Sequence, residues 1–311
     1  MDKGIEFSFK AIFVSIAGAI LVMILVNFAV QQTDLFGRYS NRAIVNSFEK
    51  QLDAFSVSSS SKKIINLPEK IKMRFDCNAL ITEDFSEETG RIIFAPPEIE
   101  SEKIKAATKT WSFPFRITNF FYLSNEEDVY FIVFDAESKE YVDSLDLPDF
   151  KILKIDARNF NANQISEQAK NLKRANLILF TKQVNENELT KLKNLNIVRV
   201  NLKQNDAMYN NENFFFLDEA MLIGLITSPE NYNCQKEKAI EKLSIISNIN
   251  SQKASYLALK ANNECKNYLL EIKSSLDVFR NQKEKNSLLN LNEKIKEQNN
   301  NLIRNDCQKI Y

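Results

Sequence analysis

The chain has 311 residues, 44% of them hydrophobic and 26% charged, and its 41 Lys and Arg side chains balance 41 Asp and Glu side chains. This balance argues against nucleic acid as a main partner, because binding a phosphate backbone requires a basic excess. Histidine is absent, which removes the commonest general base near neutral pH and the commonest zinc ligand. Enzymes that use Asp, Glu, Lys, Cys or Ser are not excluded.

A long apolar run follows a short N-terminal flank of residues 1–10. The run, Ala11–Val30, carries no charge, and a helix of this length spans the hydrocarbon core of a bilayer, about 30 Å. A cleavable signal peptide would have a shorter apolar core and an A-x-A cleavage site, which Phe28-Ala29-Val30 lacks. The sequence therefore predicts an uncleaved, single-pass transmembrane helix, with the lipid membrane as one partner.

The orientation of this helix is predicted from weaker signals. Lys3 and Lys10 precede it, and Arg38, Arg42 and Lys50 follow it, so the positive-inside rule gives no clear preference. Four cysteines favour an oxidising, extracytoplasmic location. The absence of any N-x-S/T glycosylation site in this Asn-rich chain indicates the opposite. We predict a cytoplasmic N-terminus and an extracytoplasmic C-terminal part at the cell membrane.

A second interpretation of the N-terminus is a pilin-like surface subunit. Lys3-Gly4 ahead of an apolar helix is typical of the processing site of type IV pilin-like proteins. Lys10 would then lie early in the mature helix, and the large downstream region is unusual for a pilin. These two features favour an ordinary cytoplasmic flank.

Residues 31–62 are predicted to form a stalk helix and a Ser-rich linker. Apolar residues at spacings of three and four indicate the helix; they are Ile44, Phe48, Leu52 and Phe55. The segment 63–128 is predicted to be β-rich, since Lys70–Phe75 alternates polar and apolar residues and Arg91–Ala95 is a short apolar strand. Apolar residues recur at every second position from Trp111 to Ile117, which indicates a strand with one face in the core.

Residues 129–228 show a different pattern, in which short apolar strands alternate with amphipathic helices. This alternation predicts a parallel sheet with helices on its faces, in a three-layer, Rossmann-like α/β unit. No glycine lies between Gly90 and Gly224, so the unit lacks the turn that admits a pyrophosphate. We therefore interpret it as a scaffold, without a phosphate loop and without a nucleotide or other cofactor.

One catalytic hypothesis remains for this unit. Asp135 and Asp156 follow the first two predicted strands, and Thr181 and Lys182 end the third. Open parallel sheets bind ligands at this edge, where two carboxylates could hold Mg²⁺ while the hydroxyl and ammonium groups face a phosphate. Aspartate is also common in turns for local reasons, which is the alternative interpretation.

Residues 229–311 are predicted to form a helical hairpin or three antiparallel helices, with breaks near residues 262–263 and 281–286. Their heptads are short and irregular, so packing within the chain is favoured, although a homo-oligomer is an alternative. Three antiparallel helices place Cys265 and Cys307 at one end, which predicts one disulfide there and leaves Cys77 for Cys234. Free buried thiols are the alternative. The cysteines lack the spacing and the histidines of a zinc site.

Several motifs carry a resemblance to known sequences. Asp218–Leu222 precedes an S-P-E-x-Y-x-C stretch at Ser228–Cys234, and Trp111–Arg116 and the anchor segment Gly4–Ala19 accompany them. Over most of its length the chain resembles uncharacterised membrane-anchored surface proteins predicted from small symbiotic archaea, which share the anchor, this stretch and a late cysteine, here Cys307. The resemblance implies an archaeal cell-surface location and no assigned activity.

These observations favour a non-enzymatic, membrane-anchored extracytoplasmic module that binds an unidentified protein partner or has a structural role. The first alternative is a magnesium-dependent phosphoryl-transfer or phosphate-ester enzyme that uses Asp135 and Asp156. The second is the pilin-like subunit.

Overall fold

The computed structural model describes residues 20–27, 42–57 and 60–311. It is a mixed α/β structure with two six-stranded sheets and a helical C-terminal region. The first sheet has the strand order β3-β2-β1-β5-β6-β4. Its strands are β1 (Ser60–Phe75), β2 (Ala79–Ile81), β3 (Ser86–Glu88), β4 (Ile92–Phe94), β5 (Glu98–Ser112) and β6 (Arg116–Asn125).

The first sheet is antiparallel except where β4 pairs in parallel with β6. The predicted alternation over Lys70–Phe75 is confirmed, because Ile71, Met73 and Phe75 are buried and the polar residues between them are exposed. The β1–β5 register shifts between Asn66 and Ile71, where Pro68 cannot donate to the ladder.

The predicted strand from Trp111 to Ile117 is instead a hairpin. β5 ends at Ser112 and β6 starts at Arg116, and between them Phe113 donates its backbone N–H to the Phe115 carbonyl. Pro114, which follows a cis peptide bond, lacks an N–H and favours a turn over a continuous strand. The aromatic side chains still enter the core, since Trp111 is fully buried.

The second sheet has the order β12-β11-β10-β9-β7-β8. Its strands are β7 (Val129–Phe134), β8 (Lys151–Asp156), β9 (Ala175–Leu179), β10 (Asn196–Asn201), β11 (Asp206–Tyr209) and β12 (Glu212–Phe215). The first four are parallel, as predicted, whereas β11 and β12 extend the sheet as an antiparallel meander. Sequence reasoning missed β11, whose residues Asp206–Tyr209 form no apolar run of the kind that marked β4.

Helices cover both sheets. They are α1 (residues 42–56), α2 (Lys139–Ser144), α3 (Ala162–Ala169), α4 (Glu186–Leu189), α5 (Glu219–Thr227), α6 (Tyr232–Lys260), α7 (Asn263–Phe279) and α8 (Lys285–Arg304). One face of the second sheet packs on α3 and α4. Its other face shares a hydrophobic cluster with the first sheet, α5 and the C-terminal helices. The segments predicted to begin at 129 and 229 therefore pack on a common core.

α5 lies at the centre of this shared core. All of its residues from Ala220 to Thr227 are buried, as expected for a helix that is apolar on every side. Gly224 allows α5 to lie directly against the ring of Phe94, because a Cβ atom at this position would be 2.7 Å from that ring. The Phe94 ring is itself stacked on Tyr122 and Tyr232.

The predicted stalk helix does not stand free. α1 buries Ile44, Phe48, Leu52 and Phe55 in a cluster with the first sheet, and Arg91 forms ion pairs with both Glu49 and Asp53. β1 begins at Ser60, inside the predicted Ser-rich linker.

The predicted transmembrane helix, Ala11–Val30, lies mostly outside the described residues. Residues 20–27 are helical and expose their apolar side chains. Within the described ranges, no helix combines the length and apolar character needed to cross a membrane. The anchor, the flank of residues 1–10 and the Lys3-Gly4 motif stay predictions.

Two disulfides join distant parts of the fold. Cys77 is bonded to Cys234 and Cys265 to Cys307, with Cα–Cα distances of 5.7 Å and 5.6 Å. These are the two pairs expected from three antiparallel helices. The second bridge closes one end of the helical region, whereas the first attaches α6 to the loop after β1.

Candidate functional site

Two adjoining clefts open at the carboxyl ends of β7, β9 and β10. Their volumes are about 540 Å³ and 690 Å³, within the range of small-ligand sites. The chain leaves β7 for β8 on one side and later enters β9 on the other, so the smaller cleft lies at the topological switch point of the sheet. Ligands of open α/β sheets bind at such points.

Asp135 lies in the smaller cleft, but its carboxylate is held by the turn that starts α2. Its Oδ1 accepts hydrogen bonds from the backbone N–H and the hydroxyl of Ser138, at 3.0 Å and 2.8 Å. Burial raises the pKa of Asp135, but hydrogen bonds from the Thr181 hydroxyl and from Ser138 outweigh burial, and the net effect is a lowered pKa. The ionised form of Asp135 is thus favoured, and its hydrogen bonds to Ser138 and Thr181 connect the loop after β7 with the loop after β9.

Asp156 does not line either cleft. Its carboxylate accepts hydrogen bonds from Nε and Nη2 of Arg158, at 3.0 Å and 2.7 Å, and from the Arg158 backbone N–H at 2.9 Å. These hydrogen bonds lower the pKa of Asp156 to about 2. The side chain caps the short 3₁₀ turn Ala157–Asn159, which is the local role that sequence reasoning weighed against metal binding.

The four residues of the catalytic hypothesis are therefore divided. Asp135, Thr181 and Lys182 line one cleft, whereas Asp156 faces Arg158. In the part of the chain that the structure describes, no three Asp, Glu, Cys or His side chains are grouped as a metal site requires. Of the four residues, the cleft brings together one carboxylate, one hydroxyl and one ammonium group. The other carboxylate in its lining, Glu137, forms an ion pair with Lys203 at 3.3 Å.

Most charges around the larger cleft are paired. Arg199 binds Glu186 at 2.7 Å, and the Nζ of Lys285 binds Asp206 at 2.7 Å. Lys182 is exposed and has no ion-pair partner among the described residues. Its ammonium group is therefore the charge that the clefts leave available to a ligand.

Buried polar and apolar groups complete the larger cleft. The Nε of Arg199 is buried without a hydrogen-bond partner within the described structure. The lining also includes apolar side chains, which are Leu179, Val184, Leu189, Val200, Ala207, Met208, Phe214 and Phe215. An apolar wall beside an available ammonium group suits a ligand with an apolar part and a carboxylate.

Sequence reasoning found Thr181 and Lys182 from their position at a strand end, but it missed the other cations of the site. Arg199 lies inside β10, where charged residues on an exposed face are common. Lys285 begins α8 and reaches the site from the helical region, where its Nζ also donates to the Gln204 carbonyl at 2.7 Å. No local pattern connects Lys285 with the sheet.

Comparisons with known proteins add no family: no family model, no curated protein and no solved structure matches this chain.

Proposed function

We propose that this protein is a single-pass membrane protein whose extracytoplasmic part binds a partner protein through the switch-point clefts. The observation that carries the proposal is the contrast between Lys182, which lacks an ion-pair partner in the described structure, and the paired charges around it. A partner segment that presents a carboxylate next to an apolar side chain would fit this lining.

The anchored, extracytoplasmic location is supported by two observations. The run Ala11–Val30 is long and uncharged. Two disulfides fit an oxidising compartment. The archaeal cell surface implied by the resemblance is part of the same proposal.

The location is tested by adding protease to intact cells. Degradation of the part after Val30 is expected, because it lies outside the cytoplasm. Protection of that part until the membrane is lysed would place it inside and would contradict the proposed location.

Binding is tested by cross-linking the full chain in its native membrane and identifying what is captured. Lys182→Glu should reduce capture of the partner by about tenfold or more, since like charges at an interface cost several kcal/mol. Lys193→Glu is the matched control, because Lys193 is exposed and outside the clefts, and it should leave capture unchanged. Equal capture by all three proteins would contradict a role for the clefts.

The magnesium-dependent enzyme is tested separately with a generic phosphate ester and Mg²⁺. The binding proposal expects no hydrolysis that depends on Asp135. Turnover that is abolished by both Asp135→Asn and Asp156→Asn would establish the enzyme and overturn the binding module.

A further inference from the structure

The two disulfides start from matching positions but differ in accessibility. Cys234 is the third residue of α6, and Cys265 is the third residue of α7. Cys77, Cys234 and Cys307 are half-buried, whereas Cys265 is buried. Exchange with the thiol of another molecule requires access to the bridge. The Cys77–Cys234 bridge is therefore the more accessible of the two.

The starts of the two helices also differ in charge. In the described structure the Asn231 side chain does not cap α6 but donates to the Phe75 carbonyl at 2.8 Å, and the first turn of α6 contains no acidic residue. At α7 the Asn262 side chain accepts from the Cys265 N–H at 2.9 Å, and Glu264 lies in the first turn. Free N–H groups at a helix start stabilise a thiolate, and a neighbouring carboxylate disfavours it.

A lysine lies one helical turn after Cys234. Lys238 is four residues later, on the same face of α6, and its Nζ donates to the Cys77 carbonyl at 2.8 Å. The same Nζ donates to the carbonyls of Thr89 and Arg91, at 3.1 Å and 2.8 Å, so the ammonium group is held beside the bridge. Burial lowers the pKa of Lys238 to about 8, and the group is therefore still mostly charged at pH 7.

At the second bridge an apolar side chain takes the place of this lysine, because the residue four positions after Cys265 is Leu269, which is buried. We propose that the Cys77–Cys234 bridge is a redox-active disulfide that oxidises a dithiol, and that Cys265–Cys307 is structural. This activity is separate from the proposed binding at the switch-point clefts, so the two proposals fail independently.

The exchange has two steps. A thiolate of the dithiol attacks the Cys77 sulfur and forms a mixed disulfide, and the S–S bond breaks with its electron pair on Cys234, the leaving group that Lys238 and the helix start stabilise. The second thiolate of the dithiol then attacks the first sulfur of the dithiol and releases Cys77. Two electrons pass from the dithiol to the bridge. One of the two protons lost ends on Cys77 and the other in solvent, because Cys234 stays a thiolate.

The length of the loop does not oppose this exchange. A bridge with a sequence separation of 157 stabilises the protein by constraining the unfolded chain, which is not involved when the bridge opens in the folded protein. Gln235 also holds the loop after β1 in place, since its Nε2 donates to the Cys77 carbonyl at 3.2 Å and its Oε1 accepts from the Ile93 N–H at 3.1 Å. We therefore expect the reduced protein to stay folded.

The test is timed reduction of the full-length protein with dithiothreitol at pH 7. After acid quenching and alkylation, peptide mapping measures how fast each bridge opens, and Cys265–Cys307 is the internal control. Cys77–Cys234 should open about tenfold faster or more, because it is more accessible and its leaving group is stabilised. Equal rates, or faster opening of Cys265–Cys307, would overturn the proposal.

The role of the ammonium group is tested with Lys238→Met, which removes the charge and keeps a long side chain. Opening of Cys77–Cys234 should slow about fivefold, because the leaving thiolate loses its neighbouring cation. If Lys238 only held the loops in place, the variant would loosen them and the bridge would open faster. Unchanged or faster opening would therefore overturn Cys234 as the stabilised leaving group.

A change at the helix start separates the effect of charge from that of stability. Asn233→Asp adds a carboxylate next to Cys234 at an exposed position and should strengthen the helix slightly. It should nevertheless slow opening of the bridge about twofold, since the carboxylate disfavours the thiolate; Lys236, which binds the Asn233 side chain at 2.9 Å, limits the effect. Asn263→Asp is the matched control in α7 and should leave the rate unchanged. Equal rates in the two variants would overturn the contribution of the helix start.

Discussion

The two sheets have the same number of strands but differ in where they open to solvent. The first is antiparallel except at β4, with α1 packed on one face and α5 and α6 packed on β4 to β6 of the other, while alternate residues of β1 stay exposed. The second is packed on both faces, but the carboxyl ends of its parallel strands open into the two clefts. Parallel strands all end at the same edge, where successive loops diverge. The comparison shows that open clefts lie at the strand ends of the second sheet, which is where the proposed partner would bind.

The largest effect is expected from the Cys77–Cys234 disulfide, which joins the loop after β1 to α6. Replacing Cys77 and Cys234 by Ser should lower the free energy of unfolding by about 5 kcal/mol, because the bridge closes a loop with a sequence separation of 157. The same replacement of Cys265 and Cys307, separated by 42, should cost about 4 kcal/mol. Denaturant titration of the three proteins measures both. A smaller loss of stability for the longer loop would contradict the explanation that each bridge acts only by lowering the entropy of the unfolded chain.

A core substitution tests whether the two sheets share their stability. Phe94→Ala should cost about 3–5 kcal/mol, because the buried ring packs on Phe120, Tyr122 and Tyr232. Amide hydrogen exchange should then accelerate in both sheets.

The control for this substitution is Phe48→Ala, whose ring is equally buried but belongs to the cluster of α1 and the first sheet. It should accelerate exchange mainly in α1. If Phe94→Ala accelerated exchange in the first sheet alone, the shared core would not couple the stabilities of the two sheets.

A pH-dependent effect is expected at the start of α5, where Asp218 accepts a hydrogen bond from the Met221 N–H at 3.0 Å. Burial raises the pKa of Asp218 to about 6, against the lowering effects of that hydrogen bond and of Lys109. The folded state therefore favours the protonated carboxyl, so its contribution to stability is present below about pH 4 and is lost as the pH rises to 6.

Asp218→Asn keeps the helix cap but cannot ionise. At pH 7 the variant should be more stable than the wild type by up to about 3 kcal/mol, at 1.36 kcal/mol per pKa unit. Near pH 4 the difference should vanish. Denaturant titrations at both pH values provide the measurement, and a difference independent of pH would show that ionisation is not its cause.

The smallest effects on stability are expected in the clefts. Lys285→Ala should cost about 1 kcal/mol, because the half-buried ammonium group binds Asp206 and the Gln204 carbonyl. Lys182→Ala should change stability by less than about 0.5 kcal/mol, although we expect it to weaken partner binding. If Lys182→Ala were destabilising, this lysine would have a structural role. The contrast between the first sheet and the clefts of the second would then be weaker.

Much of the fold could be predicted from local periodicity. The four parallel strands, the buried helix α5 and the breaks between the C-terminal helices all follow from patterns within a dozen residues. The hairpin at Phe113–Phe115 could not, since alternating apolar residues on both sides of Pro114 look the same in one strand as in two.

The candidate site was less predictable because it depends on distant parts of the chain. Thr181 and Lys182 could be placed at a strand end, and Asp156 could be placed near them by the same rule. The sequence did not indicate that the guanidinium of Arg158, two residues later, hydrogen-bonds to the Asp156 carboxylate. Lys285 enters from another region altogether, so only the folded structure shows it in the cleft.

The bridge between Cys77 and Cys234 also determines how the protein would carry mechanical load. In the proposed anchored state, a pull on the C-terminal helices would be transmitted from α6 through the sulfur atoms to the end of β1 and then through α1 to the anchor. The whole second sheet lies within the covalent loop that this bridge closes. Tension would therefore bypass the smaller cleft, whose lining residues all lie within this loop, and a partner bound there would remain in place while the C-terminal helices were stretched.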